Sequence, residues 1–158
     1  MLAAAGSLQL SSSDFSSGGT IPARAMSADC GGANRSPELS WRGAPNSAKS
    51  FALTVYDPDA PIAGGYYHWV VYNLPASRHE LGAGAKLTPA QLGITTPGTQ
   101  GYHGPCPPPG PAHHYIFTLY ALDLDHIAGG PYTAPKLEAR LKGHILAQAA
   151  LTATASSR

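Results

Sequence analysis

The stretch from Gly101 to Asp123, GYHGPCPPPGPAHHYIFTLYALD, constrains this chain more than any other part of it. Pro105, Pro107, Pro108, Pro109 and Pro111 hold φ near about −65° and donate no backbone N–H, so the segment is neither helix interior nor central strand. It is a stiff irregular loop, and the alternating residues that follow it form a strand. A loop whose shape is set before a ligand arrives loses little freedom on binding, which suits a recognition surface. Turns are plentiful elsewhere too. The 158 residues include 18 Gly and 15 Pro, where average usage of about 12% would give about 19 of the two together. Hydrophobic residues at 43% still supply a core for one domain over residues 1–158.

A charged fraction of 12% and a net charge of +1 leave no basic field of the kind nucleic acid requires, so no nucleic acid partner is expected. No run is long enough to span a membrane. The apolar start, Met1 to Gly6, is shorter than a secretory core and has no basic residue before Arg24, which points to a cytoplasmic protein unless the start is processed. Cys30 and Cys106 lie far apart and match no zinc spacing. They read as reduced, unrelated thiols, with a bridge left open for an exported protein.

Strand signals fall at Leu8–Leu10, Glu38–Trp41, Phe51–Tyr56, His68–Leu74 and Ile116–Leu122. HWVVYNL at 68–74 is apolar on both faces, which predicts a strand in the middle of a sheet. Thr88-Pro89 with a closing Gly93 predicts a short helical turn near 88–93. Leu137, Leu141 and Ile145 recur every four residues behind Thr133 and Pro135, which predicts an amphipathic helix near 134–150 and a frayed tail from Thr152. Strands joined by long irregular connections, with one late helix, make the fold mostly β: a sandwich of antiparallel sheets rather than βαβ units.

Polar residues cluster where strands begin or end: Asp57 and Asp59 in DPDAP, His68 opening HWVVYNL, and His113 with Tyr115 after the proline loop. The period of two puts His113 and Tyr115 on one face and His114 on the other. Imidazoles, phenols and backbone N–H groups are donors that suit a small anion such as a phosphate ester. The aspartates would hold a histidine in one tautomer or receive an ammonium group of the same ligand. Each piece also has a structural reading: the aspartates as turn braces, His68 as a bonded core histidine, and the aromatic rings as core. No nucleophile elbow, P-loop or dinucleotide fingerprint is present. A metal set of His68, His113, Cys106 and an aspartate has no local spacing to demand it, so no cofactor or metal is expected.

Taken in order, DPDAP at 57–61, HWVVYNLP at 68–75 and GYHGPCPPPGPAHHYIFTLYALD at 101–123 resemble the phosphatidylethanolamine-binding protein family, whose members include the Raf kinase inhibitor protein. GPCPPPG and the preceding IPARAMSADCGGANRSPELSW are spelled as in its bacterial and archaeal branch, and the likeness runs from about Ile21 to Leu146. The resemblance implies a Greek-key sandwich with a helix near the C-terminus and an anion pocket at Asp57, Asp59, His68, Tyr102, Gly104, Cys106, Pro107, His113 and Tyr115. It also implies that His68 and His113 donate to the phosphate, that Asp57 orients His68 or the ligand, that Tyr115 is a wall or a donor, and that the backbone of Gly104 to Pro107 supplies N–H groups. The expected function is non-enzymatic binding of a small anionic or phosphorylated molecule. The alternative is inhibition of a kinase or protease through the pocket rim. A homodimer is a further partner the resemblance suggests.

Overall fold

A computed structural model of the chain describes residues 7–157. They form a small sheet of β1 (Gln9–Ser11), β2 (Leu39–Arg42) and β5 (Glu80–Leu81), in the order β1–β2–β5. A larger sheet packs against it, in the order β4–β3–β6–β7, built from β3 (Ser50–Asp57), β4 (Tyr66–Pro75), β6 (His113–Leu122) and β7 (Ile145–Ala155). Every pairing of these strands is antiparallel. The start from Met1 to Gly6 lies outside the described residues. Among the described residues no helix is long and apolar enough to cross a membrane.

The alternation seen in the sequence sorts side chains into two cores. Phe51, Leu53 and Val55 of β3 face inward with Trp69 and Val71 of β4 and Tyr115, Phe117 and Leu119 of β6. These meet Leu10, Leu39, Trp41 and Leu81 of the small sheet. On the outer face of the large sheet, Ala52, Val70, Tyr72 and Leu122 are covered by Leu137 and Leu141 of the helix α1 (Ala134–Leu141). This second core accounts for HWVVYNL. The strand is buried on both faces, yet it is an edge strand of its sheet rather than a central one; the central position belongs to β3 and β6. A two-sided apolar run reports cover on both faces, and α1 supplies one of them.

The turn near 88–93 is present as a 3-10 turn, Pro89–Gln91, with Thr88 and Gln91 in a reciprocal cap. The C-terminal helix is shorter than the spacing predicts. It ends at Leu141, Gly143 takes φ 85° and the chain reverses into β7. Ile145 therefore opens a strand, although Ala147, Gln148, Ala149 and Ala150 are compatible with helix. Nor does the tail fray from Thr152: Thr152, Ala153, Thr154 and Ala155 pair with Ile116, Tyr115, His114 and His113. The other side of β7 is occupied there by Gly18 and Ile21, whose N–H groups bond to the carbonyls of Thr152 and Thr154 at 2.7 and 2.8 Å.

Candidate functional site

Antiparallel pairing brings the three sequence clusters to one end of the large sheet. β3 ends at Asp57, where β4 begins with Tyr66 (Asp57↔Tyr66) and β6 begins with His113 on the opposite side of β3. The proline loop closes over that end. The backbone N–H of His103 donates to the His68 carbonyl at 2.9 Å, and the His68 ring Nδ1 returns a bond to the His103 carbonyl at 2.7 Å. Between these parts lies a cavity of about 400 Å³.

Asp57, His68, Gly104, Cys106, Pro107, His113 and Tyr115 all line this cavity. The Asp57 carboxylate Oδ2 accepts from the His113 ring Nδ1 at 2.7 Å, with both side chains buried. Asp57 thus orients His113, not His68. The sequence does not reveal this, because β3 has a neighbour on each side and Asp57 could reach either. The second carboxylate oxygen, Oδ1, accepts the Asp59 N–H at 2.8 Å, the turn-bracing arrangement that Asp-Pro-Asp favours.

Two of the expected pocket residues are elsewhere. The Asp59 carboxylate accepts the backbone N–H and the ring Nδ1 of His114, each at 2.8 Å, outside the cavity lining. Those bonds hold its carboxyl below the usual carboxylate range. Tyr102 packs edge-on against Trp69 at 5.3 Å and donates its phenol to the Ala25 carbonyl at 2.7 Å. Burial pushes that phenol up. The tyrosine ties the loop to the 22–35 segment, and the glycine after the next residue shows how close the two run. A Cβ on Gly104 would lie 2.5 Å from the Ala25 carbonyl oxygen and 2.6 Å from the Ser27 nitrogen.

That segment is what IPARAMSADCGGAN contributes. Asn34 accepts the Gly104 N–H at 2.6 Å and donates to the Tyr102 carbonyl at 3.1 Å, and the Ser27 N–H donates to the Pro105 carbonyl at 2.9 Å. The Gly104 N–H is therefore spent on the scaffold. Since Pro105 and Pro107 have none, the loop offers a ligand far fewer backbone donors than the resemblance implies. The segment is also bonded covalently: Cys30 and Cys106, with Cα atoms 5.5 Å apart, form a disulfide. This corrects the expectation of two unrelated thiols. Sequence distance gave no sign that the loop folds back onto the turn at Ala28–Cys30, and only spatial separation decides pairing.

His103 and Tyr66, which sequence reasoning left out, complete the cavity wall. Tyr66 lies tilted against the His68 ring with centroids 4.4 Å apart, and Tyr115 meets it edge-on at 5.2 Å. The chief role of His103 is its carbonyl. A carbonyl only accepts, so the proton of neutral His68 resides on Nδ1. Burial lowers the His68 pKa to about 4, so the ring is neutral at physiological pH. Burial first, then the Asp57 charge, push the Tyr115 phenol up. His113 likewise has Nδ1 committed, to Asp57. In both rings Nε2 has no partner among the described residues and is not sealed from solvent. No Lys or Arg lines the cavity among the described residues.

The family model described as Phosphatidylethanolamine-binding protein matches residues 11–156. The UPF0098 protein YbhB of Escherichia coli is 43% identical over 128 residues, covering 76% of this chain and 81% of that protein. A UPF0098 protein of Methanothermobacter thermautotrophicus is 42% identical over 151 residues, covering 91% and 95%. The crystal structure of E. coli YbcL, described as a new member of the mammalian PEBP family, superposes with a TM-score of 0.88 at 33% identity, covering 96% of this chain and 99% of that one.

Proposed function

The chain belongs to the phosphatidylethanolamine-binding protein family, and from that footing we propose that it is a non-enzymatic binding protein whose cavity takes a small anionic or phosphorylated molecule. One observation carries the reading: His68 and His113, fixed through Nδ1 by a carbonyl and a carboxylate, leave Nε2 unpartnered at one 400 Å³ cavity. Rings held this way are preorganised for a ligand. The phenols of Tyr66 and Tyr115 stand beside them as donors. A catalytic reading is weaker. The Asp57–His113 pair could serve as base and orienter, but no serine or threonine lines the cavity among the described residues and the Cys106 sulfur is spent in the disulfide. Titration with phosphate and with phosphoethanolamine, followed by the ring signals of His68 and His113, tests the proposal; unmoved signals at millimolar ligand refute it.

The rim supports the alternative of a protein target, a kinase or protease. Ile62, 47% exposed, lines the cavity together with the exposed Pro108. A stoichiometric enzyme partner that survives His68→Ala and is lost on Ile62→Asp favours the rim. For a homodimer, the exposed Ile145 and Leu146 at the start of β7 are the apolar surface to probe. As to location, the disulfide favours an oxidising compartment over the cytoplasm expected from the first residues of the sequence.

A further inference from the structure

Cys106 is at once a wall of the cavity and one end of the disulfide. Granted the binding role proposed above, the bond that fixes the loop also fixes the shape a ligand meets. The loop is held unevenly on the two sides of this cysteine. Up to Pro105 hydrogen bonds tie it down: the Tyr102 phenol to the Ala25 carbonyl at 2.7 Å, the Gly104 N–H to Asn34 at 2.6 Å, and the Ser27 N–H to the Pro105 carbonyl at 2.9 Å. From Pro107 to Ala112 a single hydrogen bond to the rest of the chain is present among the described residues, from the Ser157 hydroxyl to the Pro107 carbonyl. Ser157 itself lies past the end of β7, and Pro108 to Ala112 are exposed.

The other end of the bond is firm. Cys30 closes the turn at Ala28–Cys30, where its N–H donates to the Ser27 carbonyl at 3.0 Å and the Gly31 N–H donates to the Ala28 carbonyl at 3.0 Å. The disulfide is thus what pins Pro107 and Pro108, both in the cavity lining, to a well-held turn. Proline keeps this half of the loop stiff within itself, so the bond decides where the wall sits more than what shape it has. A reductant can reach it: Cys106 is exposed and Cys30 half-buried, and exposed disulfides belong to the labile class.

We propose that the Cys30–Cys106 disulfide is a redox switch on ligand affinity, the bonded form presenting Cys106, Pro107 and Pro108 as a preformed wall and the dithiol form releasing it. The step is thiol–disulfide exchange with a dithiol reductant. One thiolate of the reductant attacks a sulfur of the bond, its second thiol resolves the mixed disulfide, and two electrons and two protons pass to Cys30 and Cys106. These end as thiols and the reductant ends as a disulfide. Release is local, because neither cysteine belongs to the apolar cores and the hydrogen bonds at 102–105 remain. A wall that must be ordered by the ligand itself lowers affinity. Linkage makes the coupling reciprocal: bound ligand makes the disulfide harder to reduce by the same factor, and tenfold corresponds to about 30 mV for a two-electron couple.

Calorimetric titration of phosphoethanolamine into the oxidised protein, the dithiothreitol-reduced protein and Cys30→Ser/Cys106→Ser tests this. The reduced protein and the double variant are expected to bind at least tenfold more weakly than the oxidised protein while keeping its tryptophan fluorescence and a cooperative melt, and reoxidation should restore affinity. Saturating phosphoethanolamine should lower the midpoint potential of the disulfide by about 30 mV or more. Equal affinity in the two redox states, or a double variant that binds like the oxidised protein, overturns the switch and leaves the pocket reading standing. Reduction that unfolds the chain also overturns it, since the bond is then a structural staple. If phosphoethanolamine binds neither redox form, the pocket reading falls, and the switch with it.

Discussion

Acid should destabilise the protein through His68, and the size of the effect follows from its burial. The ring is held neutral with its pKa lowered from 6.5 to about 4. Between those values the unfolded chain binds a proton that the folded chain does not, so stability rises with pH across that window and is lost as pH falls through it. At about 1.36 kcal/mol per pKa unit, the difference between pH 7.5 and pH 4 is about 3 kcal/mol. For a chain of this length that corresponds to a fall in melting temperature of roughly 6–12 °C. In His68→Gln the titrating group is gone while an N–H remains to reach the His103 carbonyl. Urea unfolding of both proteins from pH 7.5 to pH 4, followed by Trp41 and Trp69 fluorescence with the disulfide intact, should give a wild-type curve steeper by that amount. Parallel stability–pH curves for the two proteins would refute the claim that the His68 proton is excluded by burial.

Three other perturbations have directions set by the same geometry. Asp57→Ala leaves the His113 Nδ1–H and the Asp59 N–H without their acceptor, and a loss of about 3 kcal/mol is expected in denaturant unfolding at pH 7. Gly104→Ala drives a Cβ into the backbone of Ala25–Ser27 at 2.5–2.6 Å; a cost of about 1–3 kcal/mol should accompany weakened phosphate binding, because the loop that shifts is a cavity wall. Replacing both Cys30 and Cys106 by Ser opens a loop of 76 residues, for which chain entropy gives about 4 kcal/mol of lost stability, measurable as a lowered urea midpoint.

The strands were legible because their apolar residues alternate: Phe51, Leu53 and Val55 point one way, and His113, Tyr115 and Phe117 likewise. The opposition of His113 and His114 was legible for the same reason. Edge against centre was not, because β4 is covered on one face by α1, more than sixty positions along the chain. β7 was hidden by its alanines, which fit helix and strand alike, and by the fourfold spacing of Leu137, Leu141 and Ile145, which runs on past Gly143, where the chain reverses. At the site, motif order singled out three clusters that the fold brings to one end of the large sheet, but could not say which histidine Asp57 holds. The contribution of His103 is a backbone carbonyl, and no side-chain pattern reports on a carbonyl. Tyr102 and Asp59 sit inside the motifs and brace the loops that build the cavity rather than line it.

The most direct test is a crystal of the protein soaked with phosphoethanolamine. The account predicts a phosphoryl group in the cavity of about 400 Å³, within hydrogen-bonding distance of Nε2 of both His68 and His113. A phosphoryl group bound only outside that cavity, or an empty cavity at saturating ligand, would contradict it.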